Sequence, residues 1–169
     1  MVRVVVRGSG DVGSAVVHRL FRAGHAVALH HAPAPAATRR GMALADALFD
    51  GSAELAGVRG VLVADPSRLL AAADGRGAVP VTTAPLEAVL GATTPEVLVD
   101  ARMRKRAVPE AQRALAPLTI GLGPNFVAGG NIDAAVETSW DDLGRIVTDG
   151  STLPLAGEPR PIAGHARDR

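Results

Sequence analysis

The chain opens on Val2 to Val6, an almost uninterrupted β-branched run that meets Gly8. Such a run predicts a strand covered on both faces and central in a parallel sheet. From Val12 the spacing changes. Val12, Val16 and Leu20 recur every four residues, Val17 and Phe21 flank them and Gly24 follows, which predicts a helix over 12–23 with a glycine stop. His25 to His30 predicts a second strand, ended by a Pro-containing loop from His31 to Pro35, and Gly41 to Phe49 a short helix. Strands over 58–63, 79–82 and 97–99 then alternate with helices over 66–73 and 86–90. Past Arg102 the pattern predicts a short helix over 109–115, a strand over 118–122, and a hairpin of Ile132 to Thr138 with Leu143 to Val147 across Ser139 to Asp142. Residues 151–169 carry chain breakers and little periodicity, and are expected to form an irregular tail.

Composition narrows the field. At 169 residues, 47% hydrophobic and 21% charged, the chain has the size and make-up of one globular domain, and no stretch reaches the roughly 18 apolar residues of a membrane span. Eighteen basic residues against 17 acidic leave a net charge of +1, too balanced to hold a polyanion by bulk electrostatics, so nucleic acid is not expected as a partner. The only aromatic residues, Phe21, Phe49, Phe126 and Trp140, leave no base-stacking platform and a core of Val, Leu, Ile and Ala. No cysteine is present, which excludes disulfides, thiolate metal ligands and a persulfide carried on this chain. Lys105 is the single lysine, so an individual arginine here carries less functional weight than usual. The opening MVRVVVRG does not resemble a cleavable signal, and a cytoplasmic protein is expected.

Gly8-Ser9-Gly10-Asp11-Val12-Gly13 has the GxGxxG spacing of a dinucleotide-binding turn, at the first strand-to-helix crossover. There the first glycine makes the turn, the second lets backbone approach a diphosphate, and the third lets helix pack on strand, while helix N–H groups attract the anion. A purely structural tight turn is the other reading. Asp11 reads as the helix N-cap. Where a complete fingerprint has a ribose-binding acid at the end of the second strand, His30 and His31 stand instead; as neighbours on a strand they point to opposite faces, so no metal site is expected. Arg39 and Arg40 lie just beyond and either meet an anion or form an exposed pair opening a helix. Asp100 ends a strand at the edge where open α/β sheets bind ligands, followed by Arg102, Arg104, Lys105 and Arg106 as a solvated loop or an anion clamp. Gly121-Leu122-Gly123-Pro124-Asn125-Phe126 is a second glycine turn past a strand, and the two turns are expected to share a cleft. No GxSxG, Walker lysine or HExxH occurs, so no self-sufficient catalytic set is visible. The fold class is α/β: a Rossmann-like, mostly parallel sheet with helices on both faces and a C-terminal antiparallel hairpin extension, over 1–150.

The runs RGSGDVGSAVVHRLFRAGHAV, VDARMRKR and GLGPNFVAGGNIDAAVETSWDDLGRIVTDG, with Arg39 and Arg40, resemble the XdhC-like accessory proteins of molybdenum hydroxylases, in the subgroup tied to selenium-dependent enzymes. The resemblance covers residues 2 to about 165. It implies a Rossmann-like protein that helps mature the molybdenum cofactor or insert it into a xanthine-dehydrogenase-type apo-enzyme, with a cysteine desulfurase supplying sulfur. The bound group would be a molybdopterin-type cofactor or NAD(P). The positions matching the family pattern are Gly8, Gly10, Gly13, Arg39, Arg40, Asp100, Lys105, Gly121, Gly123, Asn125 and Glu137; with Ser9, Asp11 and Val12 of the first turn they form the expected binding set. The family pattern has an acid where His30 stands and a glycine where Asn125 stands. Two other readings remain open, an NAD(P)-dependent oxidoreductase and a ligand-free interaction module. A homodimer through the hairpin near Trp140 is expected under each.

Overall fold

In the computed structural model, which describes residues 1–32 and 40–155, the opening valine run forms strand β1 (Arg3–Arg7), and it is central as its sequence predicts. Helix α1 (Asp11–Arg22) follows after the glycine turn, then β2 (Ala26–His30). The chain continues through α2 (Ala47–Asp50), β3 (Ser52–Leu55), β4 (Val58–Leu62), α3 (Leu69–Asp74), β5 (Val79–Thr82), α4 (Leu86–Thr93) and β6 (Val97–Asp100). Last come β7 (Leu118–Leu122), β8 (Val127–Ala128), β9 (Ala134–Val136), β10 (Ile146–Val147) and β11 (Gly150–Ser151).

Among the described residues nine strands form one sheet in the order β10-β9-β7-β6-β1-β2-β5-β4-β3. The seven inner strands run parallel, and β3 and β10 close the two edges antiparallel. Alternation along β1 divides its side chains between two cores. Val4 and Val6 pack with Val27, Leu29 and Val99 against Val17 of α1 and Ala47 of α2. Val5 packs with Ala28 and Leu98 against Leu69 of α3 and Val89 of α4 on the opposite face. Burial on both faces is why these strands read as continuous β-branched runs. The fold is thus α/β and Rossmann-like, with helices on both faces and an antiparallel extension at the C-terminal end. No helix among the described residues is long and apolar enough to cross a membrane.

Four local expectations need correction. The helix over 41–49 is a 3-10 turn at Leu44–Asp46 running into the single turn of α2. Residues 52–55 form a strand that the sequence did not announce, turning back at Ala56 and Gly57, both at positive φ. Residues 109–115 are not helical; their polar side chains serve the site described below. The irregular tail does not begin at 151, since β11 pairs with β8 in a second, two-stranded sheet and the Thr152 N–H bonds to Phe126 O at 2.9 Å. A third cluster, of Phe126, Ala128, Ile132, Ala135 and Val147, holds this extension on the main sheet.

The order of the parallel strands fixes where a ligand fits. From β1 the chain builds outward through β2 to β4 and β5, then returns to β1's other side with β6. The gap beyond the C-terminal ends of β1 and β6 is the topological switch point, where side-by-side loops leave in opposite directions and open a crevice.

Candidate functional site

Arg7 and Asp100 are the last residues of β1 and β6, and they are register partners. A network joins them. Gln112, fully buried, accepts from Arg7 Nη1 at 2.6 Å and donates from Nε2 to Asp100 Oδ2 at 2.6 Å. Asp100 Oδ1 also accepts from the Arg102 backbone N–H at 3.1 Å and from Arg102 Nε at 2.9 Å. Burial alone would raise the Asp100 carboxyl, but the hydrogen bonds and charge of Arg102, with Gln112 adding to them, hold it below its ordinary range. Glu110 closes the array. Its Oε1 accepts from Arg7 Nη1 at 2.9 Å and Arg102 Nη2 at 2.7 Å, and its Oε2 pairs with Arg104. Burial, then the charge of Arg102, lowers the Arg7 pKa from its ordinary value. Arg7 Nε is buried without a hydrogen-bond partner among the described residues.

Between this network and the start of α1 lies an open cleft of about 690 Å³. One wall is the glycine turn, Gly8 to Val12; facing it is the loop from Ala101 to Lys105; His30, His31 and Ala32 form the third side. The three glycines of the turn have different jobs. Gly8 has φ +105°, and a Cβ there would lie 2.8 Å from the Arg102 backbone. At Gly13 a Cβ would sit 1.7 Å from Gly8 O. Gly10 is unlike both: its φ of −69° suits any residue, and a Cβ would meet nothing within 4 Å. Packing therefore demands glycine at 8 and 13, whereas at 10 its effect is to leave the cleft wall bare. The first α-type bond here runs from Ser14 N–H to Gly10 O at 2.9 Å, so the amides before it are outside the helix ladder. Ser14 Oγ donates to Ser9 O and accepts from Leu44 N–H, both at 3.0 Å, fixing the turn from behind.

Asp11 stands at the first helical position and not at the N-cap, which is Gly10. Its charge there complements the helix dipole. Against this one acid the lining sets Arg7, Arg102, Arg104 and Lys105, and with the three arginines paired to Asp100 and Glu110 the surplus at the walls is a single positive charge. His30 and His31 both line the cleft, because His31 lies beyond the last residue of β2 and the alternation of strand faces no longer applies. Burial pushes the His30 imidazole down to about 4, so it is neutral at pH 7, with Nε2 donating to Ala84 O at 3.1 Å. His31 Nδ1 lies 2.7 Å from Ser9 Oγ, and burial lowers its pKa as well.

The rest of the expected binding set is not gathered here. The second glycine turn does not share the cleft. A Cβ at Gly121 would enter the Phe126 ring at 2.4 Å, so that glycine makes room for the protein's own side chain. Gly123, at φ +115°, backs onto Met103, a residue of the cleft lining: a Cβ there would lie 3.1 Å from Met103 Sδ. Asn125, at φ +66°, donates from Nδ2 to Ala107 O at 3.4 Å. Glu137 is fully buried and accepts from the backbone N–H groups of Thr138, Ser139 and Leu153, each at 2.7 Å. That makes it a staple of the extension. Arg40 pairs with Asp46 and Asp50 and lies over the Phe49 ring, 4.9 Å from its centroid. Arg39 lies outside the described residues. Asp100 acts through Arg102 and does not itself line the cleft. Sequence reasoning missed Arg7, Glu110, Gln112 and Ser14. A charged residue ending an otherwise buried run was the one available signal, for Arg7.

No family model matches the chain, and no solved structure matches it. It is 34% identical over 169 residues to a protein of Escherichia coli (strain K12) named "Uncharacterized protein YqeB", a match that takes in 98% of this chain and 30% of that protein. The chain therefore spans less than a third of the length of that relative.

Proposed function

We propose that the cleft binds a phosphate-bearing ligand, and that the protein is a cytoplasmic accessory factor that holds or delivers a molybdopterin-type cofactor for a molybdenum hydroxylase apo-enzyme. The observation that carries the first part is Gly10, a glycine that no packing requires, on a helix N-terminal turn that faces an arginine-lined cleft at the sheet's switch point. The turn amides and Lys105 would hold the phosphate, and the cleft's volume suits a pterin- or nucleotide-sized group. The resemblance in residues 2–165 supports the second part. The redox chemistry would be the cofactor's own. Without cysteine the chain's share is binding and orientation, and sulfur would come from a cysteine desulfurase partner. NAD(P) is the other ligand the cleft would fit. The neutral His30 stands where a carboxylate would accept ribose hydroxyls, which favours the pterin.

Gly10→Leu should weaken binding of the ligand at least about tenfold while the melting temperature stays within about 3 °C of the native value. The ligand itself is identified by native mass spectrometry of freshly purified protein, where a bound pterin, a bound nicotinamide or no added mass separates the readings. Calorimetry with the identified ligand then compares the two proteins, and equal affinity removes the cleft from consideration.

The homodimer belongs to the same proposal. β10 is the sheet's edge strand, with Ile146 70% and nearby Trp140 75% exposed, so a second copy would extend the sheet across a twofold axis. Light scattering on the purified chain should give twice the chain mass, and Ile146→Asp should halve it. A native protein that stays monomeric at tens of micromolar removes the dimer.

A further inference from the structure

We propose that Arg104 is a movable anion-binding arm of the cleft, held by Glu110 in this structure and surrendered to the ligand, so that the ligand carries two linked anionic groups of the diphosphate kind. The proposal rests on reading the cleft as a phosphate site and deepens it: one anionic group sits on the amides of α1, and the other takes the place of the Glu110 carboxylate on Arg104.

Three arginines that line the cleft converge on Glu110, but they are not equally committed to it. Arg7 is nine-tenths buried and bonded to Gln112 as well. Arg102 is fixed to the buried Asp100 through its side chain and its own backbone N–H. Arg104 is a third exposed, and among the described residues its ion pair with Glu110 is its one side-chain tie. Between the fixed and the loosely held arginine stands Met103, a non-glycine residue at φ +51°. Glu110 is 46% exposed, so solvent screens its pairs and exchange for another anion costs little. What Glu110 supplies is a carboxylate where guanidinium groups meet, the geometry that also fits a phosphate.

A proton does not open this latch. Partial burial would raise the Glu110 carboxyl, but its own backbone N–H and the Arg102 and Arg104 guanidinium groups hold it far below the carboxylate range, so it stays charged at neutral pH. A competing anion is the agent that remains. An orthophosphate on the α1 amides has no second group to offer Arg104; a diphosphate does.

The test is calorimetry at low ionic strength with inorganic pyrophosphate and inorganic orthophosphate, on the native chain, Glu110→Gln and Arg104→Gln. Glu110→Gln should bind pyrophosphate about tenfold tighter than the native chain and orthophosphate within about twofold of it. Arg104→Gln should bind pyrophosphate about tenfold weaker, again with orthophosphate little changed. Pyrophosphate affinities that match the native one in both variants overturn the latch but leave the phosphate site standing, as do shifts that are the same for both anions. If neither anion binds any of the three proteins, the site and the latch fall together. Should Glu110→Gln not fold, Arg104→Gln decides by itself.

Discussion

Gly13→Ala is expected to cost about 4 kcal/mol of stability or more, and to lower the melting temperature by roughly 10 °C. The added Cβ would lie 1.7 Å from Gly8 O and 2.8 Å from Gly8 C, backbone atoms that have no rotamer to change. Gly8 cannot retreat. Its N–H is bonded to His30 O at 2.8 Å, and on its other side the Arg102 backbone already stands against the position a Cβ would take. Relief would therefore require α1 to lift from β1, breaking the packing of Val17 under the sheet's centre. Gly10→Ala is the matched control, since its methyl enters open space and should move the transition by no more than about 3 °C. Thermal melts followed by circular dichroism compare the two. Equal melting temperatures would mean that the turn is not packed against the helix as described.

The contrast between these glycines marks how far the sequence could be read. Periodicity revealed the β1 run, the four-residue spacing of α1 and the strand that ends at Asp100, because each buries a face whose repeat matches its geometry. It missed β3, whose residues alternate between half-buried and exposed at a sheet edge and so carry no apolar run. It misread 109–115 as a helix. Glu110, Gln112 and their neighbours are good helix formers, but Arg7 and Asp100 recruit the Gln112 side chain while its N–H goes to Asn131 O at 2.8 Å, and tertiary bonding overrides propensity. The turn after β7 failed for another reason. Glycine spacing looks the same whether the space it makes is left for a guest or filled by Phe126, and only coordinates distinguish Gly10 from Gly121. The arginine array around Glu110 was beyond reach, since Arg7 meets it across 103 positions of sequence.

Asp100→Asn is expected to cost about 3 kcal/mol at pH 7 and to make the acid side of the stability curve shallower. The native carboxylate is fully buried among Arg102, the Arg102 backbone N–H and Gln112, and the amide would leave Arg102 without its fixed counter-charge and turn one acceptor into a donor. The pH dependence follows from the lowered pKa. Near and below the ordinary value of 3.8 the unfolded chain binds a proton that the folded chain refuses, so stability rises with pH across that window. The contribution of Asp100 is thus complete above about pH 5 and is lost as pH falls through 3.8 toward the lower folded value. Glu110 shifts in the same direction, and its half-exposed pairs should leave Asp100→Asn with a shallower acid limb and not a flat one. Urea titrations at pH 7, 5 and 3.5 measure both effects. A variant that loses stability in parallel with the native chain at each pH would show that the acid limb belongs to other carboxylates.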